Sequence, residues 1–122
     1  MQGARTHSCV PAVGHQGMVT TAHPLATKVG LEILRSGGNA ADAAAAAAFA
    51  LAVVEPYSSG LGGGGFALLS IEKKLSFLDF RERAPHNSDR DMFLSDGKPD
   101  PKKSRDGVFS VAVPGAVAGY LE

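Results

Sequence analysis

The sequence has few of the residues that stabilise small disulfide-rich or metal-binding domains. Its 122 residues include one cysteine, Cys9, no tryptophan, and four scattered histidines: His7, His15, His23 and His86. A single cysteine cannot form an intramolecular disulfide, and no Cys or His spacing matches a zinc site. We therefore exclude a disulfide scaffold and a zinc module, interpret the histidines as surface or loop residues, and expect no cofactor.

The sequence also lacks net charge and a long apolar segment. Twelve basic residues balance twelve acidic ones, whereas a protein that binds nucleic acid through its phosphates needs a basic surface. The most apolar stretch, residues 40–54, is shorter than the roughly twenty residues of a membrane-spanning helix. The first residues contain no apolar segment typical of a secretory signal. Neither a nucleic-acid partner nor a membrane segment is expected.

Two helices are predicted in the first half of the chain. The first begins at Pro24 and ends at Arg35, before a pair of glycines. The second follows Asn39, a helix-capping residue with Asp42 in the first turn, and continues to Val54. Since the second helix is apolar all round, it should be buried on all sides, which this short chain can hardly provide.

Strands and loops fill most of the rest. Strands are predicted at residues 17–22, 66–71, 75–83 and 111–113. The polar turn at residues 72–74 should join the second and third strands as an antiparallel hairpin. Residues 84–107 form a polar surface loop with a helical turn near Met92, and a last helix begins at Pro114. This order predicts an α+β chain.

The segment from Gly60 to Gly65 formally matches the dinucleotide-binding pattern G-x-G-x-x-G. That site requires the loop to follow a strand and open a helix, whereas here the loop follows a helix and precedes a strand. Nucleotide binding is therefore not expected. The glycines permit positive φ or close backbone approach, either in a tight turn or beneath another segment or ligand.

Arg81 and Arg83 lie at the end of a predicted strand, beside Asp79 and Glu82. Either arginine could bind a substrate carboxylate through two parallel hydrogen bonds. The alternative is a structural network of ion pairs among these four residues, which spacing alone favours. Spacing does not distinguish the two arginines.

The threonine pair Thr20-Thr21 is a second candidate, for nucleophilic catalysis. An N-terminal threonine nucleophile needs a free α-amine as its base, exposed by cleavage just before it. No cleavage signal precedes either residue, so both are interpreted as strand residues. Cys9 has no identifiable activating partner.

Five motifs occur in order between residue 17 and the last residue. They are His-Pro-Leu-Ala at 23–26, Gly-Gly-Asn-Ala-x-Asp-Ala at 37–43, Ser-Gly-Leu-Gly-Gly-Gly-Gly-Phe at 59–66, Asp-Phe-Arg-Glu-x-Ala-Pro at 79–85 and Val-Pro-Gly at 113–115. With these motifs the chain resembles the gamma-glutamyltranspeptidase family, in the N-terminal part of its large subunit. The resemblance implies an N-terminal nucleophile hydrolase, an αββα four-layer sandwich that is incomplete in this chain. Residues 1–16 would be a flexible N-terminus and 17–122 the N-terminal portion of the domain.

The resemblance also implies an activity and a site residue. Members transfer or hydrolyse the γ-glutamyl group of glutathione-type amides, using the N-terminal threonine that self-cleavage creates on the small subunit. The family's arginine for the substrate α-carboxylate corresponds to Arg81, which favours it over Arg83. The nucleophile has no counterpart here; Thr20 and Thr21 match the large subunit's first strand.

The chain is consequently expected to be truncated, inactive alone, and dependent on the rest of the large subunit and on the small subunit. An uncapped last helix supports that expectation. The alternatives are a fragment of a cephalosporin acylase or poly-γ-glutamate hydrolase of the same family, or a non-catalytic structural remnant.

Overall fold

The computed structural model describes residues 11–122, so His7, Cys9 and most of the expected flexible N-terminus lie outside the described residues. The elements are α1 Pro24–Arg35, α2 Ala40–Val54, β1 Phe66–Ile71, β2 Lys74–Asp79, β3 Leu94–Ser95, β4 Lys98–Pro99, a 3-10 turn Val108–Ser110, and α3 Ala116–Leu121. Both long helices begin and end where the sequence predicted.

Helices α1 and α2 pack against each other through small residues. Ala26 and Gly30 of α1 are buried, as are Ala43 and Ala47 of α2. A Cβ added to Gly30 would lie 2.9 Å from a methyl group of Val19 and 3.2 Å from the carbonyl oxygen of Ala43. Small side chains at these positions therefore allow the two backbones to approach closely.

The start of α2 is fixed by reciprocal hydrogen bonds. Asn39 Oδ1 accepts from the backbone N–H groups of Ala41 (2.7 Å) and Asp42 (3.1 Å), while Asp42 Oδ2 accepts from the Asn39 N–H (2.8 Å). This capping box satisfies N–H groups that the helix itself leaves without partners.

Replacing Asn39 with alanine should therefore lower the free energy of unfolding by about 1 kcal/mol. Urea denaturation followed by circular dichroism would measure the change. Asn87→Ala is the control, because Asn87 is exposed and its side chain makes no hydrogen bond among residues 11–122. Equal stability of the two variants would contradict the capping role.

The hairpin is antiparallel, as predicted, with residues 66–71 opposite residues 79–74. Glu72 and Lys73 form its two-residue turn, and both have positive φ (50° and 65°), the conformation that suits the twist of a tight hairpin. The prediction that β2 continues to Arg83 was wrong. Pairing with β1 and its preceding residue ends at Phe80, after which Arg83 pairs with Val113.

Three further local predictions were wrong. Residues 17–22 form no strand; instead, Thr21 Oγ1 hydrogen-bonds the carbonyl oxygen of His23 and the hydroxyl of Thr27, both at 2.8 Å. The strand expected at 111–113 is a single bridge. Helix α3 begins at Ala116 rather than at Pro114, with Gly115 as its N-cap.

The loop after residue 83 has a turn near Met92, as expected, in which the Met92 N–H donates to the Asp89 carbonyl oxygen (3.5 Å) and the Leu94 N–H to that of Asp91 (2.9 Å). The short ribbon β3–β4, which was not predicted, follows directly. Asp96 and Gly97 form its tip, both with positive φ. Asp100 follows β4 and accepts hydrogen bonds from Ser95 Oγ and the Lys102 N–H, each at 2.9 Å. Both bonds lower the pKa of Asp100 below its ordinary value, and the bond from Ser95 has the larger effect.

Large apolar side chains remain exposed on the hairpin. Phe66, Leu68, Leu75 and Phe77 are each more than half exposed, and the rings of Phe66 and Phe77 stack at 5.6 Å. The apolar helix α2 has only two buried residues, Ala43 and Ala47, so the expected burial on all sides does not occur within residues 11–122. Among the described helices, none combines the length and apolar character needed to cross a membrane.

Candidate functional site

The backbone around Arg81 is fixed by hydrogen bonds on both sides. The Arg81 N–H donates to Asp79 Oδ1 at 3.0 Å. Two residues later, Arg83 and Val113 exchange backbone hydrogen bonds of 3.1 and 2.8 Å. The segment that carries Arg81 therefore connects the end of β2 to the segment before α3.

The loop of residues 60–65, called the glycine loop below, lies directly against the segment that carries Arg81. A Cβ added to Gly64 would overlap the carbonyl oxygen of Phe80 and lie 2.8 Å from the Glu82 nitrogen. None of glycines 60–65 has positive φ. Close approach, rather than left-handed backbone, is thus the reason for glycine at position 64. Both alternatives that the sequence left open occur in this loop: the Gly63 N–H donates to the Gly60 carbonyl oxygen at 3.4 Å and closes a turn, and Gly64 lies beneath another chain segment.

The same loop also holds the start of α3. The carbonyl oxygen of Gly63 accepts hydrogen bonds from the N–H groups of Gly115 and Ala116, both at 3.0 Å. A Cβ on Gly115 would overlap the Phe80 carbonyl oxygen, and one on Gly119 would overlap the Phe80 ring. The loop, the end of β2 and α3 thus pack into one unit around Phe80.

The Arg81 side chain is 58% exposed and lines a cleft of about 350 Å³ between the end of β2 and α3. Its Nη1 lies 3.2 Å from Glu82 Oε2, and its Cζ lies 6.0 Å from the centre of the Phe66 ring. Phe66 was not singled out in the sequence. Only the strand register, which sets Phe66 opposite Asp79, could have indicated its proximity to Arg81.

Glu82 is less exposed than its partner, at 25%. Its Oε2 is buried and accepts no hydrogen bond among residues 11–122, although Arg81 Nη1 is close. The short distance and the missing hydrogen bond agree if the N–H bonds point away from the line joining the two atoms. We therefore treat this contact as an ion pair held by charge attraction rather than as an aligned hydrogen bond.

The four-residue network of ion pairs predicted as the alternative is reduced to one pair. Asp79 bonds the Arg81 backbone rather than a guanidinium, and within the described residues Arg83 makes no salt bridge. Arg83 lines the same cleft as Arg81, so the structure brings both candidate arginines together.

The other candidates lie elsewhere. Thr20 and Thr21 line a separate cleft beside α1 and α2, and His23 caps α1, its Nδ1 accepting from the Leu25 N–H at 3.2 Å. The lining of the Arg81 cleft contains no hydroxyl or thiol side chain. Among the described residues no group of three metal-ligating side chains occurs.

The family profile described as Gamma-glutamyltranspeptidase matches residues 26–122. The chain belongs to the gamma-glutamyltranspeptidase family. Glutathione hydrolase proenzyme of Escherichia coli (strain K12) is 49% identical over 112 residues, which are 90% of this chain and 19% of the relative. Acylase ACY 1 proenzyme of Pseudomonas sp. (strain V22) is 43% identical over 120 residues, 92% of this chain and 22% of the relative.

Solved structures show the same relationship. The gamma-glutamyltranspeptidase of Helicobacter pylori matches with a TM-score of 0.84 and 44% identity, covering 91% of this chain and 32% of that one. The transpeptidase CapD of Bacillus anthracis matches with a TM-score of 0.65 and 33% identity, and the match covers 88% of this chain and 31% of the CapD chain.

These matches confirm the α+β fold class, as part of the N-terminal nucleophile hydrolase sandwich. The chain spans about a fifth of the length of the curated relatives it matches.

Proposed function

We propose that residues 17–122 provide the substrate-carboxylate anchor of an enzyme that transfers γ-glutamyl groups to amines or to water. The observation that carries the proposal is Arg81, an exposed guanidinium on a fixed backbone at the edge of a cleft. Relatives named glutathione hydrolase proenzyme support it.

Arg81 suits this role because of the chemistry of its side chain. The guanidinium is planar and always charged, and its N–H groups can bind both oxygens of a carboxylate at once. A γ-glutamyl group carries its α-carboxylate at a fixed number of bonds from the γ-amide carbon. Binding of the α-carboxylate by Arg81 therefore restricts where the scissile amide can lie. In this role Arg81 orients the substrate and takes no part in bond making or breaking.

The nucleophile is proposed to come from outside residues 1–122, since no hydroxyl or thiol lines the Arg81 cleft. A threonine hydroxyl attacks the γ-carbonyl carbon, the C–N bond breaks, and the amine leaves with a proton. Water or a second amine then displaces the threonine from the resulting ester. Within this sequence of steps Arg81 holds the substrate and exchanges no proton.

An acylase is the second candidate, favoured by the relative named Acylase ACY 1 proenzyme. A dicarboxylic acyl group with the same carboxylate but no α-amine would use Arg81 equally well.

The test that distinguishes the two activities uses the complete protein. It is expressed from its gene, or assembled by replacing the matching segment of the Escherichia coli relative with residues 17–122. It should release p-nitroaniline from the γ-glutamyl anilide faster than from the glutaryl anilide, which lacks the amine. A preference for the glutaryl compound would favour the acylase.

The chain by itself should be inactive. Purified residues 1–122, assayed at enzyme concentrations at which the complete processed enzyme gives complete conversion, are expected to release no p-nitroaniline from the γ-glutamyl anilide. Turnover by the isolated chain that disappears in Arg81→Ala would contradict the proposed external nucleophile.

The gene sequence provides a separate test. A gene that stops after Glu122 would favour the structural remnant, whereas a continuing frame with a Thr-Thr-His-type processing site would favour the transpeptidase.

A further inference from the structure

Three aromatic rings from distant parts of the chain meet beside the segment that carries Arg81. The ring of Tyr120, on α3, has its centre 5.2 Å from that of Phe49, on α2, and 5.7 Å from that of Phe80. The ring planes are inclined at 77° and 73°, the edge-to-face arrangement that aromatic pairs favour. All three residues are partly buried. Tyr120 is therefore the member of this aromatic cluster that joins α2 to the end of β2.

The ring of Phe80 fits closely between two glycines. A Cβ added to Gly65 would lie 3.0 Å from Phe80 Cε2, and one added to Gly119 would overlap the ring at Cγ. The Phe80 backbone is held as well, because its N–H donates to the Gly65 carbonyl oxygen at 3.0 Å and its carbonyl oxygen accepts from the Gly65 N–H at 3.3 Å. A side chain packed this tightly has little room to turn while its backbone stays in place. The positions of the ring and of the backbone are therefore coupled.

Arg81 follows Phe80 directly in the chain. Consecutive Cα atoms are held about 3.8 Å apart, so a shift of the Phe80 backbone moves the Cα atom from which the guanidinium extends. The hydrogen bond from the Arg81 N–H to Asp79 spans two residues and is local to the strand end. The contacts of the Phe80 ring, in contrast, reach α3 through Gly119 and Tyr120. The ring of Phe80 thus fixes the strand end relative to a distant helix.

We propose that Tyr120 is a positioning residue for the carboxylate anchor. Its ring, which packs on Phe49 of α2, holds the ring of Phe80 and with it the backbone position from which Arg81 reaches the substrate α-carboxylate. This inference rests on the proposed function of Arg81. It makes the affinity for γ-glutamyl substrates depend on side chains of α2 and α3 as well as on Arg81 itself.

The dependence on substrate separates positioning from a general contribution to folding. A variant that only leaves less folded enzyme lowers the rate with every substrate and leaves KM unchanged, because KM does not depend on enzyme concentration. A displaced Arg81 raises KM only for substrates whose carboxylate it binds. Two substrates that differ in this carboxylate therefore distinguish the two roles.

The experiment uses the complete processed enzyme with the γ-glutamyl anilide and with the 4-aminobutyryl anilide, which lacks the α-carboxylate. Tyr120→Leu, which keeps an apolar side chain but removes the ring, should raise KM for the γ-glutamyl compound about threefold to tenfold, the range to which one edge-to-face pair corresponds. Tyr120→Phe should keep the wild-type KM, because both ring contacts remain. Neither variant should alter kcat/KM for the 4-aminobutyryl compound. Val117→Ala, at an exposed position of the same helix, should behave as wild type with both.

Two further variants test the route through the aromatic cluster. Phe49→Leu removes the support on the other side of the Tyr120 ring and should raise KM in the same direction, by less, and again only for the γ-glutamyl compound. In an Arg81→Ala background Tyr120→Leu should have no further effect, because there is no guanidinium left to position.

Three results would overturn the inference: an unchanged KM in Tyr120→Leu, equal losses with the two anilides, or a loss in Tyr120→Phe as large as that in Tyr120→Leu. If Tyr120→Leu is not processed, Phe49→Leu is the variant on which the same outcomes are read. Absence of γ-glutamyl turnover by the wild type would instead contradict the proposed function.

Discussion

Replacing Arg81 with alanine is expected to weaken γ-glutamyl substrates by about 2 to 5 kcal/mol in the complete enzyme. That corresponds to a fall in kcat/KM of roughly 30-fold to several thousand-fold. The expectation follows because truncation leaves the substrate carboxylate without its cation and also leaves the buried Glu82 oxygen without its neighbour. Steady-state kinetics with the γ-glutamyl anilide would measure it.

Two matched variants define which property of Arg81 matters. Arg81→Lys keeps the charge but loses the planar fork, so it should recover only part of the activity. Arg83→Ala removes a second cation from the same cleft and should have a smaller effect. Unchanged kinetics in Arg81→Ala would leave this residue with only a structural ion pair, and a larger loss in Arg83→Ala would assign the substrate to that arginine.

The second large effect is expected for Gly64→Ala. The added Cβ would overlap the Phe80 carbonyl oxygen and press on the Glu82 nitrogen. These are backbone atoms, which cannot rotate away as a flexible side chain can. We expect a loss of about 1 to 3 kcal/mol in the free energy of unfolding, as for other overpacked sites. We also expect a raised KM, because the backbone that carries Arg81 must shift.

Gly62→Ala is the matched control for this substitution. Gly62 lies in the same loop, its φ is not positive, and an added Cβ would have no neighbour within 4 Å. Alanine there should be neutral or stabilise by up to about 1 kcal/mol, because it restricts the unfolded chain. Thermal melts and KM values of both variants would check the pair. Similar losses at the two positions would show that loop flexibility, rather than close approach at Gly64, is what matters.

Local signals in the sequence predicted the elements that local interactions control. Asn39 and Asp42 marked the start of α2 because the capping box lies within one turn. The polar turn after Ile71 marked the hairpin for the same reason. The resemblance then selected Arg81, and the family comparisons confirm the family to which its motif belongs; the role of Arg81 as carboxylate anchor stays a prediction.

Contacts between distant segments could not be predicted in the same way. The strand expected to reach Arg83 ends early because Arg83 pairs with Val113, far along the chain. The segment at 17–22 has strand-forming residues but no partner strand among those described. The proximity of Glu82 to Gly63, where an added Cβ would lie 3.4 Å from Glu82 Oε1, depends on tertiary packing that neither residue reveals alone.

The pairing partner changes between Phe80 and Arg83, so the position of Arg81 depends on two separate parts of the chain. Phe80 is tied to Gly65, whereas Arg83 is tied to Val113, just before α3. Because elements can open locally without global unfolding, release of either tie would free one end of the segment that bears Arg81. Binding of a carboxylate by Arg81 is thus expected only while both ends of the segment are docked, and local opening at either end should weaken it.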